Sequence, residues 1–356
     1  MINKTSSKLR VLVTGAGGGG NGEQLIKCLK LESEKYTVIA SDSSIEAAQL
    51  SGADICKTLP MANDKNYTKK LIELCIDEEV TAIFPGSEPE LRRISSDRDM
   101  IQPHVDLLAI NSEKVIDICS DKFKTNEFLE HNKMPFPKSV FVKDINQINE
   151  IDFFPVVLKP TIGGGSQHVY IAQNHKELDL LVRYLLGYFN SFLVQEYIGT
   201  VDEEYTVGVL LDGNGSLINS IAVRRHIMSS LSNRIKVKNI TSKKNLGDTL
   251  AISSGISQGE IGKFPQVTAF CEELAIKLGS TYAINVQCRL VDGVPYVFEI
   301  NPRFSGTSFM RAMVGYNEPD ILIRNDVLGL KVEPGFNYES GIILRSLKET
   351  LKKHDK

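Results

Sequence analysis

A glycine-rich turn after an apolar run constrains the fold of this chain more than any other feature. In the stretch V11-L-V-T-G-A-G-G-G-G-N-G22, the glycines Gly15, Gly17 and Gly20 fit the pattern G-x-G-x-x-G. An acidic residue, Asp42, follows the next apolar run. This spacing is typical of the first strand, turn and helix of a Rossmann-like domain, and in many such domains it binds a dinucleotide. An NAD(P)-dependent oxidoreductase is therefore one functional interpretation.

Strand and helix signals alternate along the first 110 residues, which predicts a parallel sheet with right-handed crossovers. Beyond residue 111 the pattern changes to short strands joined in antiparallel hairpins, which is typical of an α+β fold. A length of 356 residues suffices for several structural units. We expect a Rossmann-like domain at 1–110, a small lobe at 111–195, a large lobe at 196–330, and a C-terminal strand with a charged tail at 331–356.

Composition excludes several classes of function. The formal net charge of -3 gives no basic face for a nucleic acid. No run approaches the ~18 apolar residues of a membrane span, and the polar N-terminus lacks the apolar core of a signal peptide. The six cysteines are scattered without a Cys-x-x-Cys or metal-site spacing. Reduced, mostly buried thiols in a cytoplasmic protein are therefore expected.

A second glycine-rich segment, V156-V-L-K-P-T-I-G-G-G-S-Q-H-V-Y-I171, has the composition of a phosphate-binding loop. A strand ends at Lys159, and Gly163, Gly164 and Gly165 follow, so backbone N–H groups can approach an anion closely. Lys159 adds a positive charge beside the loop. The segment is not a Walker motif, which needs Gly-Lys-Ser/Thr at the start of a helix. The alternative interpretation is an ordinary hairpin turn.

The segment A283-I-N-V-Q-C-R-L-V-D-G-V-P-Y-V-F-E-I-N-P-R303 predicts a hairpin that carries oxygen ligands. Glu299 and Asn301 are two residues apart and therefore share one strand face. Gln287 offers a third oxygen from the partner strand. Mg²⁺ prefers such oxygen ligands and completes its shell with phosphates and water. The alternative is a half-polar edge without a ligand, although burying these polar groups would then be unfavourable.

The length of the hairpin loop decides whether Gln287 belongs to this set. A two-residue loop, Asp292-Gly293, would pair Val286 with Glu299 and turn Gln287 to the other face. A three-residue loop would pair Gln287 with Glu299. The metal interpretation therefore predicts the longer loop, with Gly293 or a neighbour at positive φ.

Between these segments lies F192-L-V-Q-E-Y-I-G-T-V-D-E-E-Y-T206, in which a strand ends at Glu196 and resumes after three acids. Acidic side chains next to the mostly apolar connection Y197-I-G199, called the hinge below, could accept hydrogen bonds from the N–H and O–H groups of a nucleoside. An ordinary acidic loop is an equally good interpretation of this segment alone.

Together these segments resemble the ATP-grasp superfamily, and in particular the synthetase halves of the carbamoyl phosphate synthase large subunit. The resemblance covers residues 9 to about 330 and rests on six motifs in the order of the family. They are D121-K-F-K-T125, V157-L-K-P-x-x-G-G-G-S166, Q195-E-Y-I-G199, E204-Y205, N285-V-Q287 and F298-E-I-N-P-R303. The resemblance implies a Rossmann-like pre-ATP-grasp domain followed by a two-lobed ATP-grasp domain.

The resemblance also implies roles for matching residues. The residues expected to bind ATP are Lys122, Lys159, Gly163, Gly164, Gly165, Ser166, Glu196, Tyr197, Ile198, Glu204, Gln287 and Glu299. Mg²⁺, usually as two ions and replaceable by Mn²⁺, would be held by Gln287, Glu299 and Asn301. Arg303 would steady the transferred phosphoryl group together with Lys159 and Arg225, and Arg224 is the alternative to Arg225. In this family the N-terminal glycine turn binds no NAD and shapes the acceptor site, as would the loop from Pro85 to Glu90.

The implied reaction is carboxylate activation by ATP, followed by displacement of phosphate by an amine. A single synthetase half without a glutaminase domain makes carbamoyl phosphate synthesis itself an unlikely reaction for this chain. A non-catalytic ATP-binding module is a further alternative. G255-I-S-Q-G259 spells the hydrolase motif G-x-S-x-G, but only His354 follows Ser257, so a serine hydrolase is disfavoured. A homodimer is compatible with the sequence and indicated by no particular residue.

Overall fold

The computed structural model describes residues 8–163, 167–229 and 231–346. Residues 8–110 form five parallel strands: β1 (Leu9–Thr14), β2 (Tyr36–Asp42), β3 (Ile55–Thr58), β4 (Ala82–Pro85) and β5 (Leu107–Leu108). Their helices are α1 (Asn21–Lys30), α2 (Ile45–Leu50), α3 (Tyr67–Asp77), α4 (Glu88–Ser96) and α5 (Arg98–Ile101). The strand order β3-β2-β1-β4-β5 confirms the prediction of a Rossmann-like fold. The centre of β1 is fully buried, as its continuous apolar run requires when helices cover both faces of a sheet.

The small lobe is a four-stranded antiparallel sheet covered by one long helix. Its elements are α6 (Glu113–Ser120), α7 (Lys122–His131), β6 (Ser139–Val142), β7 (Val156–Pro160), β8 (Tyr170–Ala172), α8 (His175–Leu186) and β9 (Phe192–Glu196). The strand order is β6-β9-β7-β8, and in the central pair Glu196, at the end of β9, lies opposite Val156, while Lys159 of β7 lies opposite Leu193.

The large lobe is built on a six-stranded antiparallel sheet. Its elements are β10 (Glu204–Leu211), β11 (Leu217–Arg225), β12 (Asn233–Lys238), β13 (Thr249–Ser253), β14 (Gly259–Gly262), α9 (Pro265–Leu278), β15 (Ala283–Val291), β16 (Val294–Asn301), α10 (Ser308–Met313), α11 (Glu318–Leu322) and β17 (Gly341–Ile343). The order is β16-β15-β10-β11-β14-β17, and β12 and β13 form a separate ribbon. The α/β and α+β classes predicted for the two parts of the chain are thus confirmed.

The two faces of the large sheet differ in chemistry because side chains alternate along each strand. One face is apolar and packs against α9, with Val207, Val286 and Cys288 fully buried. The opposite face carries the polar cross-strand neighbours, since Glu204 pairs with Arg289 and Thr206 pairs with Gln287. This alternation gathers the polar residues on the side that faces the small lobe.

The N-terminal domain and the large lobe share one continuous apolar core. Val11 and Phe84 of the parallel sheet belong to the same buried cluster as Ile221 and Phe304 of the large lobe. The rings of Phe84 and Phe304 meet edge-on at a centroid distance of 5.4 Å. The small lobe has its own separate core around Val156. The cleft between the lobes is therefore bounded on one side by two units that share a core and on the other by an independently packed lobe.

Some elements escaped the sequence analysis. The edge strand β3 was missed because its side chains are only half-buried and give no apolar run. The segment interpreted as a loop up to Glu90 ends inside helix α4, which begins at Glu88 after the N-cap Ser87. All six cysteines are unpaired thiols, five of them buried, as expected. Within the residues that the structure describes, no helix has the length and apolarity needed to cross a bilayer.

A buried ion pair lies against the polar face of the large sheet, where it crosses β10 and β15. The Arg311 guanidinium contacts Glu318 at 2.7 Å, and their side chains are 1% and 0% exposed. Arg311 also donates to Asn285 Oδ1 at 2.6 Å. A Cβ atom added at Gly208 would lie 2.2 Å from Arg311 Nη1, so β10 needs glycine where the guanidinium crosses it.

Replacing Glu318 with Gln should lower the free energy of unfolding by about 3–5 kcal/mol, because it leaves the Arg311 charge buried without compensation. The matched control is Glu260→Gln, which breaks a pair with Arg224 whose side chains are 45% and 43% exposed. That change should alter stability by about 0–1 kcal/mol. Urea unfolding of both variants measures the difference, and equal effects would contradict a structural role for the buried pair.

Candidate active site

A cleft of about 800 Å³ lies between the small lobe and the polar face of the large sheet. The predicted site residues that line it are Lys122, Lys159, Gly163, Glu196, Tyr197, Ile198, Glu204, Gln287 and Glu299. Asn301 lines an adjoining cavity, where Arg303 contacts Glu88. Gly164, Gly165 and Ser166 lie outside the described residues.

Lys159 is buried in the wall of this cleft, with 7% of the residue exposed. Its ammonium donates hydrogen bonds to Gln195 Oε1 at 2.8 Å and to the Phe298 carbonyl at 2.9 Å. Burial lowers the pKa of Lys159 to about 7, with Lys122 adding to the shift and Glu299 opposing it. Because its hydrogen-bond partners are neutral oxygens, the ammonium would be stabilised by an incoming anion.

The hairpin that carries the predicted metal ligands turns through two residues rather than three. Asp292 and Gly293 have φ values of 49° and 79°, and Val291 lies opposite Val294. Two consecutive positive φ values are those of a type I′ turn, for which Asp-Gly is a preferred sequence. The prediction of a three-residue loop was therefore wrong, whereas the positive φ at Gly293 is confirmed.

Gln287 nevertheless lies opposite Glu299, because a β-bulge corrects the register. Cys288 pairs with Val297 and Gln287 pairs with Glu299, which leaves Phe298 without a partner in the ladder. One extra residue reverses which face the following side chains occupy. The bulge therefore places Glu299 on the polar face, and the Phe298 carbonyl accepts the hydrogen bond from Lys159 described above.

The three predicted metal ligands differ in how they are already engaged. The Glu299 carboxylate is half-buried and has no hydrogen bond or ion pair with another described residue. Gln287 Oε1 has only a long contact of 3.4 Å from Arg225 Nη1, and Asn301 Oδ1 accepts from Arg303 at 3.0 Å. In the described part of the chain no cluster of three His, Cys, Asp or Glu side chains could hold a metal. One carboxylate and two amide oxygens fit a hard cation such as Mg²⁺ that is shared with phosphates.

Two buried arginines flank Glu204 on the polar face. Arg225 Nη1 contacts one carboxylate oxygen at 3.1 Å, and Arg289 Nη2 contacts the other at 3.1 Å. Arg289 also lies over the Tyr197 ring, 4.4 Å from its centroid, and donates to the Ile198 carbonyl at 2.9 Å. Glu204 thus links the large sheet to the hinge through Arg289.

Arg289 was not among the predicted site residues, although the sequence held a signal for it. It stands two residues after Gln287 in the same strand, so strand alternation alone puts both side chains on one face. The structure also separates the two arginine candidates. Arg225 is 3% exposed and contacts Glu204 and Gln287 of the polar face, whereas the side chain of Arg224 points away and pairs with Glu260.

The hinge after β9 offers mainly backbone groups to the cleft. Tyr197 Oη is bound to the backbone of Ala251, at 3.0 Å to its N–H and 3.3 Å to its carbonyl. The Glu196 side chain pairs with Lys243 at 2.9 Å. Among the described residues, the N–H of Ile198 donates to no acceptor. An unused donor beside a buried arginine fits a planar base that is recognised through main-chain groups.

Lys122 lies at the start of α7, where Asp121 caps the helix by accepting from the Phe123 N–H at 2.8 Å. The Lys122 ammonium donates to the Gly163 carbonyl at 2.9 Å, so it reaches the beginning of the glycine loop. Gly163 has a φ of 129°, a conformation that favours glycine. Lys122 and Lys159 therefore approach the same end of the cleft from two elements.

Arg303, which follows β16, connects the large lobe to the N-terminal domain through Glu88. Its guanidinium contacts Glu88 at 2.7 Å in addition to Asn301. The Nε atoms of Arg303 and Arg225 are buried and have no acceptor among the described residues. Unused guanidinium donors next to the predicted metal ligands are suited to phosphoryl oxygens.

The N-terminal glycine turn is occupied by the carboxylates of its own domain. Asp42 Oδ2 accepts from the Gly17 N–H at 2.9 Å. A Cβ atom at Gly15 would lie 2.3 Å from Glu90 Oε2, so this buried carboxylate fills the space beside the turn. Burial raises the pKa of Glu90, and nearby Asp42 adds to the shift. Asp42 stands where a dinucleotide site also has an acid, but a pyrophosphate at this turn would meet the buried Glu90 carboxylate, which disfavours the dinucleotide interpretation.

A family model described as the ATP-grasp domain matches residues 119–307, more than half of the chain. The chain belongs to the ATP-grasp family. Residues 11–108 match a second model, the PylC-like N-terminal domain. The predicted membership of the ATP-grasp superfamily is thus confirmed, and the matched regions contain the cleft and the glycine turn.

The carbamoyl phosphate synthase large chain of Thermomicrobium roseum is 25% identical over 229 residues, which are 63% of this chain and 20% of that protein. Tetrahydromethanopterin:alpha-L-glutamate ligase of Methanocaldococcus jannaschii is 36% identical over 101 residues, which are 27% of this chain and 35% of that protein. The matches thus span about a fifth and about a third of these two relatives. The ADP complex of an N5-carboxyaminoimidazole ribonucleotide synthetase has a similar fold, with a TM-score of 0.66 at 15% identity. The similarity covers 94% of this chain and 80% of that one.

The lowered pKa of Lys159 predicts a pH-dependent stability difference in Lys159→Met. The folded pKa of about 7 lies below the unfolded value of ~10.4, so the unfolded chain holds the proton more tightly. The wild-type protein therefore gains stability as the pH rises from 7 toward 10, and a chain without this lysine lacks that gain. From pH 7.0 to 9.5 the stability of Lys159→Met relative to wild type should fall by on the order of 2 kcal/mol.

Urea unfolding at both pH values measures this change. The matched control is Lys69→Met, at a position where the side chain is 75% exposed. Its stability should follow the wild-type pH dependence. The same parallel behaviour in Lys159→Met would contradict a buried, partly deprotonated Lys159.

Proposed function

We propose that this chain is an ATP-dependent ligase that activates a carboxylate as an acyl phosphate and joins it to an amine, releasing ADP and phosphate. One observation carries the proposal: the bulge at Phe298 pairs Glu299 with Gln287 beside the buried ammonium of Lys159. An unpaired carboxylate, an amide oxygen and a buried cation in one cleft suit a magnesium-bound polyphosphate. Membership of the ATP-grasp family supports the same function.

ATP would bind along the length of the cleft. The backbone at 196–198 would receive the adenine, and Glu204 would lie near the ribose. Lys122, Lys159 and the loop at 163–166 would surround the phosphates. These residues come from both lobes, so ATP would bridge them and exclude water from the phosphate end.

Gln287, Glu299 and Asn301 would hold Mg²⁺, with two ions expected and Mn²⁺ as a substitute. The metal, when bound, neutralises charge on the phosphates and polarises the γ-phosphoryl group. The hydrogen bond from Arg303 to Asn301 supports this assignment, because it holds the guanidinium against one of the proposed ligands. The guanidinium of Arg303 would therefore lie close to the negatively charged phosphoryl group during its transfer.

The chemistry is then mainly one of positioning and charge neutralisation. A carboxylate oxygen attacks the γ-phosphorus, and the bond from that phosphorus to the bridging oxygen of ADP breaks. Arg303 and Arg225 would donate to the phosphoryl oxygens during transfer. The amine nitrogen next attacks the acyl carbon, phosphate leaves, and the nitrogen loses a proton to solvent.

The two alternatives fit the site less well. An NAD(P)-dependent oxidoreductase would need an open glycine turn, but the Glu90 side chain fills the space beside Gly15. A non-catalytic ATP-binding module would not need the unengaged Glu299 beside Asn301. The six unpaired thiols support a cytoplasmic location. A homodimer stays a prediction.

Mg·ATP should raise the melting temperature of the wild-type chain, whereas NADH and NADPH should not. At about 100 times its Kd a ligand adds about 2.7 kcal/mol, which corresponds to a shift of a few degrees. Lys159→Ala should lose the shift, because it removes the buried phosphate-facing cation. Lys69→Ala is the matched control and should keep it. A shift with a nicotinamide cofactor and none with Mg·ATP would contradict the proposed function.

A further inference from the structure

A second, smaller cavity adjoins the phosphate end of the cleft and reaches the N-terminal domain. It lies between α4, α7 and the end of β16. The polar residues that line it include Glu88, Arg92, Lys122, Asn126, Glu299 and Asn301. Because Lys122 and Glu299 line both cavities, a molecule bound here would lie next to the transferred phosphoryl group.

Glu88 and Arg92 are opposite charges one turn apart on α4, yet they do not pair. A glutamate four residues before an arginine is favourably placed for an ion pair on a helix surface. Instead Glu88 Oε1 accepts from Arg303 at 2.7 Å. Arg92 is exposed to the cavity, and its guanidinium makes no hydrogen bond or ion pair with another described residue.

The charges around Glu88 keep it ionised. Burial alone would raise its pKa, but Arg303, followed by Arg92 and Lys122, outweighs burial and lowers the pKa. The second oxygen of Glu88 accepts no hydrogen bond from the residues that the structure describes. The cavity therefore presents a free carboxylate oxygen and a free guanidinium, whose parent Cβ atoms are about 5–6 Å apart along one helix face.

We propose that this cavity binds the substrate that is phosphorylated, and that this substrate is an α-amino acid, with Glu88 binding its ammonium and Arg92 its carboxylate. The inference rests on the proposed ligase function and names its substrate class. Arg92 holds one carboxylate oxygen by charge-assisted hydrogen bonds. The other oxygen attacks the γ-phosphorus, and the bond between that phosphorus and the bridging oxygen of ADP breaks. The products of this step are an aminoacyl phosphate and ADP.

Hydroxylamine allows this step to be measured without knowledge of the natural amine. Its nitrogen attacks the acyl carbon, phosphate leaves, a proton passes to solvent, and a hydroxamate accumulates. The full chain is incubated with Mg·ATP, hydroxylamine and each common amino acid in both enantiomers. Each is compared with the carboxylic acid that lacks only the amino group, such as propionate for alanine and glutarate for glutamate. We expect hydroxamate from at least one amino acid and at least tenfold less from its deaminated partner.

Arg92→Gln is the decisive variant because the native side chain has no hydrogen-bond or ion-pair partner to lose among the residues that the structure describes. It should raise KM for the amino acid about tenfold to a hundredfold, the range for one hydrogen bond to a charged group, and leave the Mg·ATP melting shift unchanged. Arg92→Lys should restore part of the loss. Glu88→Gln should reduce the preference for the amino acid over its deaminated partner. Arg183→Gln, which breaks an exposed pair on α8, is the matched control and should leave KM unchanged.

The outcomes separate the two proposals. No melting shift with Mg·ATP would overturn the proposed function itself. A shift without hydroxamate from any amino acid would overturn the substrate class and leave ATP binding intact. The substrate class would also be overturned by equal turnover of deaminated partners, and the role of Arg92 by an unchanged KM in Arg92→Gln.

Discussion

The bulge at Phe298 is the constraint on which the rest of the site depends. With a two-residue turn at Asp292-Gly293, a regular hairpin would place Glu299 on the apolar face, against α9. The extra residue returns Glu299 to the polar face, opposite Gln287. It also leaves the Phe298 carbonyl outside the ladder, where the Lys159 ammonium binds it. A single irregularity in β16 therefore sets the position of the predicted metal ligands and provides the carbonyl that binds the Lys159 ammonium of the other lobe.

The electrostatics of the cleft follow from this arrangement. Lys159 is buried against neutral oxygens, and Arg225 and Arg303 each keep a buried donor without an acceptor in the described part of the chain. Glu299 is half-buried and unpaired. Leaving charges and donors unmatched inside a protein is unfavourable. A polyphosphate with its divalent cation would supply charge partners for these groups.

Motif order and strand alternation predicted most of the fold and the residues of the cleft. The predicted loop length was wrong because the sequence does not reveal the bulge at Phe298. The extra residue of the bulge gives the same pairing of Gln287 with Glu299 that a three-residue turn would have given. Arg289 was predictable from its spacing to Gln287, whereas the separation of Arg225 from Arg224 needed the strand register. The contact between Glu90 and the glycine turn could not be predicted, because Glu90 lies on α4, far from Gly15 in the sequence, and a local sequence pattern does not reveal contacts between distant segments.

The most direct test of this account is the effect of Mg²⁺ on ATP affinity in wild type and in Glu299→Gln, measured by titration calorimetry. If Glu299 holds the metal between the phosphates, Mg²⁺ should tighten ATP binding by the wild-type chain and have little effect on the variant. Glu260→Gln, an exposed control on β14, should behave as wild type. An equal gain from Mg²⁺ in wild type and Glu299→Gln would contradict the central claim, because the bulge would then place a carboxylate in the cleft without a metal to bind.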